Sequence, residues 1–185
     1  MAELTIVADF TLKDVGVPSA EDYPQLWLAR GGSWLLGLTL PGPGHADLAN
    51  GAGLVISCGA GQIATIDPVV VLGERTHLVG TVAADGHMRL YVNGALVLDG
   101  SGAPVQEGDT KPTQTLVPVR MTVVPSIELH DIRTYSVAFS PEDVMADLQR
   151  PLSGWVWRKP TVPWLAVGLS VAAAAVIVGL SARKR

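Results

Sequence analysis

Apolar side chains alternate with polar ones near the start of the chain. In residues 4–10 every second position is apolar, namely Leu4, Ile6, Ala8 and Phe10. A period of two is typical of a β-strand, and here it predicts a strand with one mainly buried face. Residues 15–50 mix short apolar stretches, such as 34–40, with glycine and proline, which favours short strands joined by loops.

Residues 76–99 contain the clearest pattern, three strand-like runs separated by two turn dipeptides. The dipeptides are Asp85-Gly86 and Asn93-Gly94, which tolerate the positive φ angles of tight hairpin turns. They predict a three-stranded meander. In the middle run the apolar side chains point one way, and the remaining side chains point the other way: Arg89, Tyr91 and Asn93. We expect the apolar side to join a core and the other side to face solvent or a ligand.

The second half of the domain adds a loop, two strands and a helix. Residues 100–118 are rich in glycine, proline and acidic residues and predict a long loop, whereas 119–124 and Ile127–Tyr135 are strand-like. Ser140, Pro141 and Asp143 supply an N-cap hydroxyl, a first-turn proline and an early acid, so we expect a short helix that ends near residue 150. Many short strands with one late helix predict an all-β antiparallel sandwich.

Two of these segments resemble the laminin G-like domains of the concanavalin A-like group. Residues 76–97, which include Leu90-Tyr91-Val92-Asn93-Gly94, are similar to the central meander of that family. Ile127–Tyr135 followed by Ser140-Pro141-Glu142-Asp143-Val144 is similar to its closing strand and helix, in the same order along the chain. The resemblance implies a jelly-roll sandwich of two antiparallel sheets. It also implies binding of glycans or proteins and, in some relatives, hydrolysis of glycans.

The C-terminal region differs in composition from the rest of the chain. No residue from 164 to 182 is charged, and a helix over this stretch would be about 28 Å long, close to the thickness of a bilayer core. Residues that favour membrane interfaces lie at both ends: Trp155, Trp157 and Trp164 on the N-terminal side, and Arg183, Lys184 and Arg185 after the stretch. Basic residues occur on both sides of the stretch, so they leave the orientation open.

We therefore predict a single-pass membrane protein with four parts. They are a sandwich domain at 1–150, a linker at 151–163, a transmembrane helix at 164–182 and a basic tail at 183–185. The bilayer is accordingly an expected partner of residues 164–182. The alternative is a helix buried in a protein assembly.

The net charge, the cysteine content and the first residues of the chain each argue against one feature. The formal net charge is -4, and residues 1–150 contain no block of lysine or arginine that would follow a phosphate backbone, so we expect no nucleic-acid partner. Cys58 is the single cysteine, which excludes an internal disulfide, and we expect it to be a small buried residue. Residues 1–10 lack the basic start and the unbroken apolar run of a secretory signal.

Local signatures of catalysis are missing from the sequence. It contains no G-x-S-x-G, H-E-x-x-H or P-loop motif. Hydrolysis of a glycan needs two carboxylates that face one substrate, but Glu128 and Asp131 would project from opposite faces of a regular strand. His77 and His87 flank one hairpin without a further metal-ligand pattern, so we expect ordinary strand residues. The chain is predicted not to be an enzyme.

Aromatic side chains are the candidates for stacking on a sugar ring. Trp27, Trp34 and Tyr91 lie within the domain, and Asn93 shares a side of its strand with Tyr91. We take these four residues as candidate ligand-binding residues. Packing in the core is the alternative for each of the three aromatic residues.

Calcium is the one metal that the family resemblance suggests. Oxygen ligands are available in one loop at Asp99, Glu107 and Asp109, and in another at Asp47 and Asn50. Asp99 and Asp109 are the candidate ligands. No other cofactor is expected.

Two functions fit these predictions. The first is a membrane-anchored, non-catalytic recognition module that binds a glycan or a protein through the sandwich. The second is a structural subunit of a membrane complex or virion, in which the sandwich packs on other subunits. Small residues recur four apart within 164–182, for example Ala166 and Ser170, and this spacing lets helices approach closely in lipid. A homo-oligomer is therefore a further hypothesis.

Overall fold

The computed structural model describes residues 2–18, 24–42, 48, 51–65 and 67–150. Within them the chain forms thirteen strands and one helix, α1 (Pro141–Leu148). The strands are β1 (Leu4–Leu12), β2 (Val17–Pro18), β3 (Gln25–Arg30), β4 (Trp34–Thr39), β5 (Gly51–Cys58), β6 (Gly61–Ala64), β7 (Val70–Val71), β8 (Arg75–Val82), β9 (His87–Val92), β10 (Ala95–Ser101), β11 (Gln114–Val119), β12 (Met121–Val123) and β13 (Ile127–Tyr135).

The predicted membrane region lies outside the described residues. This applies to the linker at 151–163, the span at 164–182 and the basic tail at 183–185, and to the residues Trp155, Trp157, Trp164, Arg183, Lys184 and Arg185. Among the residues that are described, no helix is both long and apolar enough to cross a bilayer. The membrane anchor stays a prediction.

Two antiparallel sheets form the sandwich. The front sheet has the strand order β10-β9-β8-β1-β13, and the back sheet has the order β11-β3-β4-β5-β6. β7 pairs with β5 beside the back sheet, and β2 pairs with β12 as a separate ribbon. The prediction of an all-β antiparallel sandwich is confirmed.

The main core fills the space between the inner faces of the two sheets. From β1 it receives every second residue, and all of them are fully buried: Leu4, Ile6, Ala8, Phe10 and Leu12. From β3 and β4 it receives the leucines at 26, 28, 36 and 38. Cys58 is also buried in this core, as the sequence predicted. The alternation that predicts β1 is therefore the alternation that builds the core.

A second, smaller core covers the outer face of the front sheet. α1 contributes Val144 to it, and the sheet contributes Val7, Val79 and Tyr91. The sequence predicts one buried face for β1, but all nine of its residues are buried, because Val144 of α1 covers Val7 on the other face and residues 137–139 contact Thr5. The expectation that Tyr91 faces solvent or a ligand is wrong, since Tyr91 packs in this smaller core and is 2% exposed, whereas Arg89 and Asn93 on the same side of the chain remain partly exposed.

The predicted meander and closing helix are both present. β8, β9 and β10 follow one another in the front sheet, and Gly86, Asn93 and Gly94 have φ angles of 86°, 50° and 84° in the two turns. α1 begins after the N-cap Ser140, whose hydroxyl accepts the backbone N–H of Asp143 at 3.2 Å. The carboxylate of Asp143 accepts the backbone N–H of Ser140 at 3.0 Å, which completes a capping box.

The predicted loop at 100–118 contains a strand, and this part of the prediction is wrong. Gln114–Val119 forms β11 and pairs with β3 at the edge of the back sheet. β11 contains Pro118 and a Leu116 with a φ of 52°, so its residues do not alternate as those of a regular strand do. Arg120, with a φ of 58°, divides the expected strand at 119–124 between β11 and β12.

Candidate functional site

An open groove crosses the outer face of the back sheet. It has a volume of about 460 Å³ and is lined by Gln25 and Trp27 of β3, Gln62 of β6, Val119 of β11 and the adjoining Arg120. We call it the Trp27 groove. Its lining combines one aromatic ring, two amides and one guanidinium group, and none of these five side chains is acidic.

Short side chains flank Trp27 across the sheet. The strand register pairs Trp27 with Gly37, Gly37 with Val55, and Val55 with Ala64. Residues paired in this way share a face of the sheet, so the indole stands in a row of smaller neighbours. A Cβ on Gly37 would lie 2.8 Å from the carbonyl oxygen of Leu26, which explains why this position is a glycine. Trp27 is therefore the largest side chain of this row, in which Val55 is fully buried and Ala64 is exposed.

Two neighbours hold the indole of Trp27 in one orientation. Its Nε1–H donates to Oε1 of Gln25 at 2.9 Å. The guanidinium carbon of Arg30 lies 4.7 Å from the centroid of the ring, a cation–π distance. Trp27 itself is half-buried. A fixed, partly exposed indole with polar groups at its edge is suited to binding, because little side-chain freedom remains to be lost.

The structure does not bring the four predicted ligand-binding residues together. Trp34 is 2% exposed in the main core, and its Nε1–H donates to the backbone oxygen of Asp109 at 2.6 Å. Tyr91 is buried under α1. Asn93 is exposed in the β9–β10 turn, and its Oδ1 accepts the backbone N–H of His77 at 2.9 Å. Of the four, Trp27 alone lines the groove.

The candidate calcium ligands have protein partners. The carboxylate of Asp109 accepts the backbone N–H groups of Gly32 and Ser33 and the hydroxyl of Ser33. Burial alone would raise the pKa of this carboxyl, but these hydrogen bonds outweigh it and hold the pKa below its usual value. Asp99 is paired with His87 and, at 3.3 Å, with Arg89. In the part of the chain that the structure describes, no three His, Cys, Asp or Glu residues cluster as a metal ion requires.

Reasoning from the sequence missed an ionic cluster beneath α1. Arg133 of β13 donates to both carboxylate oxygens of Asp147 on α1, at 2.9 and 3.0 Å. The same guanidinium lies 3.3 Å from Asp9 and 2.9 Å from Asp131. The carboxylate of Asp9 also accepts a hydrogen bond from the guanidinium of Arg75 at 2.8 Å, and it lies 3.2 Å from Nδ1 of His77. The cluster therefore joins α1 to three strands of the front sheet.

Attraction between opposite charges offsets the energetic cost of burying this cluster. Asp9 is 1% exposed, and burial alone would raise its pKa. Hydrogen bonds from His77 and Arg75 outweigh that effect and hold the pKa of Asp9 below its usual value of 3.8. Burial would likewise lower the pKa of Arg133, but the surrounding negative groups, Asp147 foremost, raise it. Both groups are therefore ionised in the folded protein.

A buried histidine–carboxylate pair, His77 and Asp9, lies within the cluster. His77 and Asp9 are spaced like an acid–base pair, but the other ring nitrogen, Nε2, is buried and faces Asp147 at 3.6 Å. His77 also lines a small pocket of about 170 Å³ together with Arg75, Asn93 and Leu148. The sequence signal for the cluster is a charged residue, Asp9, in the centre of an otherwise apolar strand.

The expected arrangement of Glu128 and Asp131 is wrong. An irregularity in β13 leaves His130 unmatched in the Cα register with β1, so that Thr11 pairs with Glu128 and Asp9 pairs with Asp131; the ring of His130 still lies 2.9 Å from the hydroxyl of Thr11. Both carboxylates therefore lie on the outer face of the front sheet. Each has its own cation: Lys13 lies 3.3 Å from Glu128, and Arg133 lies 2.9 Å from Asp131. His77 and His87 are also apart, because His77 is near the start of β8, whereas His87 begins β9 at the other end of the hairpin, and they pair with different carboxylates.

Solved structures provide the comparison, since no family model and no curated protein matches the sequence. The binding domain of botulinum neurotoxin DC, solved in complex with rat synaptotagmin II, has a TM-score of 0.52 and 11% identity. The binding domain of botulinum neurotoxin serotype D/C VPI 5993 has a TM-score of 0.50 and 11% identity. Each match covers 80% of this chain but only 35% and 36% of those chains, about a third of their length. At this identity the likeness shows that the chain shares their β-sandwich fold.

Proposed function

We propose that the sandwich is a non-catalytic recognition module that binds a glycan or a protein through the Trp27 groove. The observation that carries the proposal is the half-buried indole of Trp27, held between Gln25 and Arg30 in an open groove. The laminin G-like sequence pattern supports a binding role, and both structures with the same fold are described as binding domains. The predicted C-terminal span would tether this module to a membrane.

A glycan suits the chemistry of the groove. An indole offers an apolar surface to the C–H face of a sugar ring, and amides exchange hydrogen bonds with its hydroxyl groups. Gln25 and Gln62 supply the amides, and Arg120 supplies further donors at the same lining. An extended peptide has the same requirements for an apolar contact and for amide partners, which is why a protein partner belongs to the proposal.

Binding to a glycan array by the full chain in detergent tests the glycan half of the proposal. Gln62 and Gln114 form a matched pair, because both are exposed amides of the back sheet and only Gln62 lines the groove. We expect Gln62→Ala to weaken binding of any captured glycan about fivefold, in line with about 1 kcal/mol for one hydrogen bond. We expect Gln114→Ala to leave binding unchanged. Equal effects of the two variants would refute the assignment to this groove.

A structural subunit is the second candidate, and one observation favours it. Val17, Val123 and Val124 at the β2–β12 ribbon are each at least half exposed, at 50%, 52% and 57%. Adjacent exposed valines are typical of a surface that another protein covers. Purification in mild detergent tests this candidate, since a stoichiometric partner lost on Val123→Ser supports it and a lone monomer contradicts it.

A further inference from the structure

The side chain of Arg30 has an aromatic partner but no acidic one. Its guanidinium lies over the ring of Trp27, and in the part of the chain that the structure describes no carboxylate pairs with it. Four other arginines each form an ion pair with a carboxylate: Arg75, Arg89, Arg133 and Arg150. Arg30 is also partly buried. A cation that is partly withdrawn from water without a counter-charge is costly, so its position calls for an explanation.

The strand register places Arg30 on the same face as the Trp27 groove. Arg30 pairs with Leu35, Leu35 with Ser57, and Ser57 with Gln62. Residues paired in this way share a face of the sheet, and Gln62 lines the groove. The indole that Arg30 contacts lines the groove as well. Arg30 therefore stands beside the groove, in contact with its aromatic wall.

The guanidinium of Arg30 has donors to offer to a ligand. Its backbone oxygen accepts the N–H and the hydroxyl of Thr113, but its side chain donates to no acceptor among the described residues. A guanidinium carries five N–H donors in one plane, and stacking on a ring leaves the edge of that plane open. This edge matches the two oxygens of a carboxylate. The indole also limits the freedom of the side chain, so less of it is lost on binding.

We propose that the Trp27 groove binds an acidic glycan and that Arg30 binds the carboxylate of this glycan. The inference rests on the proposed function and names the class of ligand. The whole chain has a formal net charge of -4, whereas none of the five lining side chains of the groove is acidic. The charge of Arg30 thus makes this surface differ in sign from the chain as a whole. The sugar ring contacts the indole, and its carboxylate lies against the guanidinium.

The position of the groove favours a glycan over an acidic peptide. An extended peptide that joins a sheet pairs its backbone with a free strand edge. Trp27 belongs to β3, and β3, β4 and β5 each have a neighbouring strand on both sides. The face above these strands therefore offers side chains rather than unpaired backbone groups. The hydroxyl groups of a glycan are satisfied by side-chain amides, which Gln25 and Gln62 supply.

A glycan array with paired spots tests the inference on the full chain in detergent. Each acidic glycan is printed beside the same glycan with its carboxylates methyl-esterified, which removes the charge and keeps the sugar rings. We expect the unchanged protein to bind an acidic glycan about tenfold more tightly than its ester. Arg30→Met should weaken binding of the acidic form about tenfold, the factor that corresponds to about 1.4 kcal/mol, and should leave binding of the ester unchanged.

Two variants and the salt concentration separate a specific contact from general attraction. Arg89→Met removes the same charge from the front sheet, so we expect it to bind as the unchanged protein does. Arg30→Lys keeps the charge but lacks the planar fork, so its loss should be smaller than that of Arg30→Met. Added sodium chloride should weaken binding of the acidic glycan by the unchanged protein more than by Arg30→Met.

The possible results distinguish this inference from the proposed function. Equal binding by Arg30→Met and Arg89→Met, with the thermal unfolding of both intact, would overturn the inference. Capture of neutral glycans alone, lost in Gln62→Ala, would also overturn it but would support the glycan half of the proposed function. If no glycan is captured through Gln62, both are refuted. Capture of spotted polyglutamate without any acidic glycan would assign the groove to an acidic peptide instead.

Discussion

Replacement of Arg133 by methionine should be among the most damaging single changes in the sandwich. Its guanidinium contacts three carboxylates, on Asp9, Asp131 and Asp147, and its side chain is 18% exposed. Methionine keeps much of the volume but leaves those carboxylates without their shared cation. Removal of one partner from a buried ion pair costs about 3–5 kcal/mol, because the remaining charge stays desolvated. We expect a loss of about 4 kcal/mol in the free energy of unfolding, a large part of the 5–15 kcal/mol typical of a domain.

Arg89→Met is the matched control for this prediction. Arg89 also lies in the front sheet and pairs with Asp99 at 3.3 Å, but its side chain is 40% exposed. An exposed pair contributes about 0–1 kcal/mol, so this variant should unfold almost like the unchanged protein. Urea unfolding followed by far-ultraviolet circular dichroism gives both free energies under the same conditions.

A double variant distinguishes orphaned charge from lost packing. Asp147→Asn removes one of the carboxylates that Arg133→Met would leave unpaired, so the double variant should lose less stability than the sum of the two single variants. A loss below about 1 kcal/mol for Arg133→Met, equal to that of Arg89→Met, would refute the account of the ionic cluster. Strict additivity in the double variant would show that the damage comes from packing instead.

Three further predictions concern the pH dependence of stability, the glycine next to Trp27 and the carboxylate that binds the turn at residues 31–34. The pKa of Asp9 in the folded protein lies below the unfolded value of 3.8, so Asp9 stabilises the fold above pH 3.8, and this stabilisation is lost as the pH falls through the folded pKa. Urea unfolding should therefore give a lower free energy of unfolding at pH 3 than at pH 5. The same free energy at both pH values would contradict this prediction. Gly37→Ala forces a Cβ to within 2.8 Å of a backbone oxygen and should cost about 1–3 kcal/mol in the free energy of unfolding, measured by thermal unfolding; an unchanged melting temperature would contradict the close approach. Asp109→Ala removes the acceptor of two backbone N–H groups and one hydroxyl, so it should lower the free energy of unfolding by about 1–2 kcal/mol. If Asp109 binds calcium, as predicted from the sequence, added calcium should raise the melting temperature of the unchanged protein, and an unchanged melting temperature would contradict that prediction.

Elements with a strong local signal could be predicted from the sequence. The alternation in β1, the turn dipeptides at Gly86 and Gly94 and the cap at Ser140 each depend on residues within one element. β11 could not be predicted, because this edge strand contains Pro118 and has no alternation of apolar and polar residues. It forms through its pairing with β3, which the local sequence does not indicate.

Burial on the outer face of the front sheet depends on contacts distant in sequence. Whether Tyr91 faces water or a core depends on Val144, more than fifty residues later in the chain. The irregular pairing near His130 likewise depends on β1 at the other end of the domain. For this reason the sequence pattern assigned Tyr91 to an exposed face, although it is buried. It also assigned Glu128 and Asp131 to opposite faces of β13, although they share one face.

The placement of α1 also narrows the choice of binding surface. α1 and its ionic cluster close the outer face of the front sheet above Val7, Val79 and Tyr91, and opening that face would require breaking the contacts of Arg133 with Asp147. On the outer face of the back sheet Val55 is also fully buried, and the Trp27 groove lies beside Gln25, Trp27 and Gln62. The binding that we propose for the Trp27 groove therefore leaves the contacts of Arg133 with Asp147 intact, because the groove and α1 belong to different sheets.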